Sequence, residues 1–336
     1  MNKTLECKVI SSGVILENYL IAGNCIVGDK IFISANSGGD LSPGQSTSVF
    51  VTSTKNISGD VSKLKEFESV FSRGGTESGS TITASGDRIF IPYSDGFYLN
   101  SEKNLERRSL VFCPVSDDSG KTWDCQRALE VASVEAFAFG RVVKYENELI
   151  LPVWGSVMPG DKWESGTLSS LDNGNSWGNY RRIAFHCNET AVIHTGTEWI
   201  ALIRGLGISY DGFVEVSVRS EHEKRGLFIS KSEDCTNWTE PGFSGIYGTS
   251  PSLCRLSNGS ILAGCRSVEK GGLCRIALYS EGNFQFVCDL KTPSGYWKYG
   301  GYPVISQMDD GNLFVTFHCM LDDVWVVGFN IIQVLN

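Results

Sequence analysis

The stretch Gly86-Asp-Arg-Ile-Phe-Ile-Pro-Tyr93, its continuation Leu110-Val-Phe-Cys-Pro-Val115 and the octapeptide Ser116-Asp-Asp-Ser-Gly-Lys-Thr-Trp123 decide the fold. Gly86-Asp87 is a tight-turn dipeptide, the apolar runs beside it alternate, and a second glycine turn precedes the closing tryptophan. These are short antiparallel strands joined by hairpins. The unit recurs around Gly28-Asp29, Gly86-Asp87, Glu146-Asn147, Gly196-Thr197, Asn258-Gly259 and Asp310-Gly311. The spacings of 58, 60, 50, 62 and 52 residues each lie near one sixth of the 336-residue chain. Such a period with strand patterning predicts a six-bladed β-propeller of four-stranded blades, and the alternation excludes a helical solenoid.

The blades are expected at 19–67, 68–130, 135–183, 184–243, 244–292 and 296–336. The last offers only three strands, Tyr302 to Ser306, Leu313 to His318 and Val324 to Val334. The N-terminal segment 5–17, with its strand Cys7 to Leu16, is expected to supply the fourth, which closes the ring and removes two sheet edges. The expectation is thus one all-β domain. Composition agrees: 37 Gly against 9 Pro, with 18 Phe, 11 Tyr and 8 Trp, suits many turns between aromatic-rich strands.

A formal charge of -9 opposes broad attraction to nucleic acid or to an anionic membrane surface, while leaving room for a few arginines to bind an anion in a pocket. No apolar run reaches the roughly 20 residues that span a bilayer, and the start Met1-Asn-Lys-Thr-Leu-Glu-Cys7 carries no apolar signal segment. Either the protein stays where it is made or a leader is missing from this sequence. The five N-x-S/T triplets beginning at Asn2, Asn56, Asn188, Asn237 and Asn258 suit secretion, but such triplets arise readily by chance. The 11 cysteines form no C-x-x-C pair, so no zinc site is expected. They read as small buried hydrophobes, with Cys113–Cys125 and Cys265–Cys274 as the competing cross-strand disulfides. No ion-binding motif is present and no cofactor is expected.

Three units end in related turns: Ser116-Asp-Asp-Ser-Gly-Lys-Thr-Trp123, Ser170-Leu-Asp-Asn-Gly-Asn-Ser-Trp177, and the shorter Ser232-Glu-Asp-Cys-Thr-Asn-Trp238. Asp118, Asp172 and Asp234 suit acceptance of turn N–H groups, Gly120 and Gly174 suit positive φ, and Trp123, Trp177 and Trp238 suit wedging between sheets. These turns resemble the Asp box, S-x-D-x-G-x-T-W, of the sialidase superfamily. The resemblance implies a β-propeller with the boxes on the face away from the pocket, so it speaks to the fold rather than the reaction.

In such a ring the first-strand starts and second-strand ends share one face beside the axis. The starts fall near Asn24, Glu77, Phe139 to Arg141, Glu189, Ser250 and Tyr302, and the ends near Asn36, Tyr93, Trp154, Arg204, Arg266 and His318. Guanidinium groups bind carboxylates bidentately and aromatic faces suit sugar rings, so an acidic carbohydrate is the expected ligand class. The segment Asn188 to Arg204 looks like the sialidase blade that carries a glutamate and a triad arginine; Tyr302-Pro-Val-Ile-Ser-Gln-Met-Asp-Asp-Gly311 is similar to the one that carries the catalytic tyrosine. By that resemblance Tyr302 is the nucleophile, Glu189 its base, Asp40 the acid and Arg204 a carboxylate ligand, with Arg266, Arg141, Glu77, Tyr93, Trp154 and His318 lining the substrate.

Each assignment has a plainer counterpart: a rim ion pair for Arg204, a turn acceptor for Glu189, an aromatic plug for Tyr302, and packing for Trp154 and Tyr93. Two departures bear on activity. Where the family opens its first blade with Arg-Ile-Pro, this chain has Ile21-Ala-Gly-Asn-Cys-Ile-Val27, and where it keeps a fifth-blade arginine there is Gly271-Gly272. The expected functions are therefore a sialidase-type glycoside hydrolase acting on a terminal sialic acid or uronate, or a glycan-binding propeller that has lost part of the catalytic set. A purely protein-binding propeller leaves the clustered charges without a shared purpose.

Overall fold

The computed structural model describes residues 6–37, 46–54, 68–74, 82–101, 104–124, 129, 135–156, 163–205, 226–268, 273–292 and 297–335. Within them the chain is all-β, with 25 strands and no α-helix, paired antiparallel except for one parallel contact, Glu135 with Ser109. No helix among these residues is long and apolar enough to cross a membrane.

The strands form five hydrogen-bonded sheets. The first runs Tyr19–Val27, Lys30–Ser37, Ser46–Ser53 and Glu68–Gly74 in simple meander order. A short sheet holds Thr83–Ser85, Arg88–Phe90 and Val115–Ser116. The hairpin Tyr93–Ser101 with Asn104–Phe112 leaves that sheet to join Glu135–Ala138, Val143–Tyr145, Glu148–Ser156, Glu164–Ser170 and Gly178–Phe185. A second seven-stranded sheet links Cys187–His194, Trp199–Gly205, Gly226–Ser232, Gly242–Arg255, Ile261–Ser267, Cys274–Ser280 and Asn283–Asp289. Two expected four-stranded units are joined here because Gly242–Arg255 runs unbroken as the last strand of one and the first of the next.

The closing sheet orders Glu6–Glu17, Val324–Leu335, Leu313–Leu321 and Trp297–Gln307. The N-terminal strand pairs antiparallel with the C-terminal one from Glu6 opposite Leu335 to Glu17 opposite Val326, as expected from the missing fourth strand.

Between sequence-adjacent groups of strands lie six apolar clusters. Phe32 and Val49 meet Ile82, Ile89 and Ile91; Phe90 and Val115 meet Leu149, Leu168 and Trp177; Ile150 and Ile183 meet Val192 and Trp199. Ile193 and Leu202 meet Leu253 and Ala263; Leu262 and Ile276 meet Ile305 and Phe317. The sixth joins the two ends of the chain, Ile31 and Ile33 against Phe314, Phe329 and Ile331. Burying each such side chain stabilises the fold by roughly 1.5–3 kcal/mol relative to leaving it in water.

The three related turns are closed by their own side chains. Asp118 Oδ1 accepts from the Lys121 and Thr122 N–H groups at 3.0 and 2.8 Å, and Ser116 Oγ accepts from Gly120 N–H at 2.8 Å. Asp172 accepts from Ser176 N–H at 2.9 Å and Asp234 from Thr236 and Asn237 at 2.9 and 2.8 Å. These donors hold the Asp118 and Asp172 carboxyls down to about 2 and Asp234 lower still. Gly120 (φ +83) and Gly174 (φ +89) lie flat on the preceding sheet: a Cβ there would meet Phe32 Cε1 or Phe90 Cε1 at 2.5 Å. Trp123, Trp177 and Trp238 pack into the clusters behind their turns.

Among the cysteines, Cys265 and Cys274 are both free. This is the favoured reading of small buried hydrophobes, and the register explains why the competing bridge does not form: Cys265 faces Arg275 and Cys274 faces Arg266, so the two thiols point to opposite faces and enter different clusters. Cys125 lies outside the described residues.

Candidate active site

Four strands, Tyr19–Val27, Cys187–His194, Gly242–Arg255 and Trp297–Gln307, carry the same irregularity. In each, two residues oppose one: Ile21 and Ala22 against Ala35, Asn188 and Glu189 against Arg204, Ser250 and Pro251 against Cys265, and Tyr302 and Pro303 against Phe317. Ile21, Ser250 and Tyr302 adopt φ of +51, +54 and +53, conformations that side-chain-bearing residues seldom hold. A β-bulge re-aims the side chains around it, and here it does so repeatedly at one end of the sheets.

The result is a junction centred on Glu189, which is buried. Its Oε1 accepts the Tyr302 Oη–H at 2.5 Å, although the residues are 113 positions apart. Its Oε2 lies 3.0 Å from Arg204 Nη1 and accepts the Ser250 N–H at 3.0 Å. The bulge places Glu189 directly across from Arg204, so the ion pair follows from the register. The Arg204 side chain is 27% exposed, enough for the guanidinium to serve the carboxylate and still meet a ligand.

His318 lies under Tyr302, with ring centroids 5.3 Å apart. It is buried, and its Nδ1 accepts the Ile21 N–H at 2.9 Å, which fixes the neutral proton on Nε2. Burial first, and the positive charge of Arg266 second, push its pKa down to about 3. A Cβ on Gly301 would lie 3.4 Å from His318 Nε2 and 3.5 Å from Arg266 Cδ, so Arg266, His318 and the Tyr302 segment are neighbours. Among the described residues no hydrogen bond or ion pair engages the Arg266 guanidinium.

One wall is aromatic. Phe139 is 6.0 Å from Tyr302 by ring centroid, and Trp154 stacks on Phe137 at 4.1 Å and touches Trp163 at 4.9 Å. Phe137, Phe139, Trp154, Trp163 and Tyr302 form one cluster. The sequence reading included Trp154 and Phe139 but missed Phe137 and Trp163. The alternation Phe137-Ala-Phe139 was the available signal for the former, since residues two apart share a strand face.

Other expected members lie elsewhere. Arg141 is engaged between two other strands, its Nη2 donating to Asn24 O at 2.7 Å and Ser306 Oγ at 2.8 Å. Ser306 follows Tyr302 by four strand residues, about 13 Å at the usual rise. Arg141 is thus a pin between inner strands and does not join the Glu189 junction. Asn24 ties the first and closing sheets by donating to Val304 O at 2.7 Å and Thr316 Oγ1 at 2.8 Å. Tyr93 is buried and stacked on Phe112 at 5.2 Å, a packing role. Asp40 and Glu77 lie outside the described residues. No group of three or more His, Cys, Asp or Glu placed to hold a metal occurs among the described residues.

Among solved structures, the chain is similar to a protein of unknown function from Dyadobacter fermentans (TM-score 0.78, 16% identity, 98% of this chain and 99% of that one). It is similar to the Trypanosoma rangeli sialidase in complex with the inhibitor DANA (TM-score 0.69, 16% identity, 94% of this chain and 55% of that one). An α-L-arabinofuranosidase from Fusarium graminearum, in complex with an iminosugar inhibitor, matches with TM-score 0.65 and 13% identity over 96% of this chain and 98% of that one. The chain spans just over half the length of the sialidase, and at these identities the common property is the fold. No protein-family model matches the chain, and no curated protein does.

Proposed function

We propose that the chain is a single six-bladed β-propeller, with the blade limits given above, and a sialidase-like glycoside hydrolase acting on a terminal acidic sugar. The six interfacial clusters, the last joining the chain's ends, support the ring. The observation that carries the chemistry is the 2.5 Å hydrogen bond from Tyr302 to Glu189, in a carboxylate oriented by Arg204 and Ser250.

In this reading the Tyr302 oxygen attacks the anomeric carbon while its proton passes to Glu189 Oε1, and the bond to the leaving-group oxygen breaks. A phenol paired with a base presents less negative charge to an acidic sugar than a bare carboxylate nucleophile. Arg204 and Arg266 are the carboxylate ligands, His318 supports Tyr302 from beneath, and the aromatic wall of Trp154 and Phe139 takes the apolar face of the sugar. Asp40 is the proposed acid for the leaving group. The similarity in fold to a sialidase and an arabinofuranosidase supports the class.

The test is release of fluorophore from a fluorogenic sialoside, and of product from uronate-containing oligosaccharides. Tyr302→Phe is expected to lower turnover by about 10³-fold or more, and Glu189→Gln by about 10²–10⁴-fold. The competing reading, a glycan-binding propeller, draws on Ile21, which stands where the family has an arginine and gives its N–H to His318. Binding without release, insensitive to Tyr302→Phe, would decide for that reading.

A further inference from the structure

The cysteine thiols divide into two kinds. Burial pushes Cys25 and Cys265 up to about 12 and Cys187, Cys235 and Cys319 to about 11, which keeps them protonated and inert. Cys7 and Cys288 are only half-buried. Cys7 sits opposite Val334 on Glu6–Glu17, the outer edge of the closing sheet, and Cys288 sits opposite Ile276 on Asn283–Asp289, the outer edge of the second seven-stranded sheet. These two edge strands touch, and both side chains pack on the cluster that the two sheets share.

The two thiols are neighbours across this seam, each the leading influence on the other's ionisation. The neighbouring Cys288 lowers the Cys7 pKa, while the neighbouring Cys7 first and burial second raise that of Cys288. One sulfur therefore gives up its proton more readily than the other, the asymmetry expected of a nucleophilic and a resolving thiol.

We propose that Cys7 and Cys288 form a reversible disulfide that fastens the N-terminal strand to the neighbouring sheet when the surrounding thiol pool is oxidised. The oxidant is a small-molecule disulfide such as oxidised glutathione. Cys7 thiolate attacks one of its sulfurs and expels one glutathione thiolate, leaving a mixed disulfide on Cys7. Cys288 then loses its proton to solvent and attacks Cys7 Sγ, forming the protein disulfide and expelling the second glutathione thiolate. Two protein thiols are oxidised and one external disulfide is reduced to two thiols.

The position gives the bond a consequence. The N-terminal strand is an outermost strand, held in its sheet through its pairing with Val324–Leu335, and the bond adds a covalent tie to a different sheet. The loop it closes runs from residue 7 to residue 288, and longer closed loops restrict the unfolded chain more. Oxidation is expected to raise the thermal midpoint, and reduction to release the strand edge.

The experiment incubates the full chain with oxidised glutathione, alkylates remaining thiols and maps tryptic peptides without reduction. The expected product is the peptide 4–8 joined to the peptide 276–291, each containing one cysteine, and its disappearance after dithiothreitol. The oxidised protein should melt above the reduced one, and Cys7→Ser and Cys288→Ser should abolish that difference. Where a serine variant folds poorly, the wild-type peptide map alone decides. Glutathione persisting on Cys7, or a different linked pair, overturns the proposal. Neither result bears on glycan chemistry, so this proposal and the glycosidase reading fail separately.

Discussion

At the turn end of the sheets three aspartates are satisfied within their own turns, whereas at the bulged end one carboxylate is satisfied from three other strands. Asp118, Asp172 and Asp234 take their N–H donors from within four residues. Glu189 takes Arg204 from the next strand, Ser250 from 61 positions away and Tyr302 from 113. The turns are thus local devices that set where each hairpin ends, and the hydrogen bonds of their carboxylates need no other sheet. The Glu189 junction is complete only when the second seven-stranded sheet and the closing sheet are docked, so its geometry reports on that docking.

Removing the cation from the junction is expected to break that contrast most sharply. Arg204→Met leaves the buried Glu189 carboxylate with Tyr302 and Ser250 alone. Truncating one member of a buried charge pair commonly destabilises by 2–5 kcal/mol, and with the Arg204 side chain 27% exposed the low end, about 2 kcal/mol, is expected. If the site is catalytic, turnover should fall about 10²-fold as the base loses its orientation. Denaturant unfolding and product release measured on the same preparation check both. Unchanged stability together with unchanged activity would mean that the ion pair is an exposed rim contact.

Gly174→Ala probes the other end and should affect stability without touching chemistry. The added Cβ would meet Phe90 Cε1 at 2.5 Å on a backbone at φ +89, so the adjoining sheet must shift or the turn must change. Overpacking of this kind costs roughly 1–3 kcal/mol. Specific activity of the folded fraction should equal that of the wild type; a fall in turnover would show that the turn end is coupled to the bulged end. Gly120→Ala, facing Phe32 in the same way, should match it.

This contrast also accounts for what the sequence disclosed. The hairpin period, the turn motifs and the N-terminal strand's place in the last sheet depend on residues close in sequence or on a count of strands, and period-two patterning exposes them. Glu189 and Tyr302 were singled out at first-strand starts and Arg204 at a second-strand end, places that share one end of the sheets. Arg141 occupies such a place too, yet it reaches between two other strands to Asn24 and Ser306. Strand position gives the end of the sheet but not the depth a long side chain reaches. Nor does composition reveal that Gly242–Arg255 continues through two units, or that Tyr302 stands at positive φ, since neither leaves a mark in the local pattern.

At neutral pH the last contrast has no effect, and it separates the two ends only as pH falls. His318 has its pKa pushed down to about 3 in the fold, against about 6.5 for an unburied histidine. Between those values the unfolded chain binds a proton that the native protein does not, so stability should fall as pH drops from about 6.5 towards 3. Asp118 and Asp172 are held at about 2 against a usual 3.8, so their contribution is complete above 3.8 and is lost only as pH falls through that value towards 2. His318→Asn offers an amide oxygen in place of Nδ1 to the Ile21 N–H and removes the titration, so it should flatten the slope above pH 4. Asp172→Asn should leave that slope alone and flatten the one below it. Urea midpoints across pH 7 to 2 read both windows, and a His318→Asn profile parallel to the wild type would show that the imidazole takes its proton in the native fold.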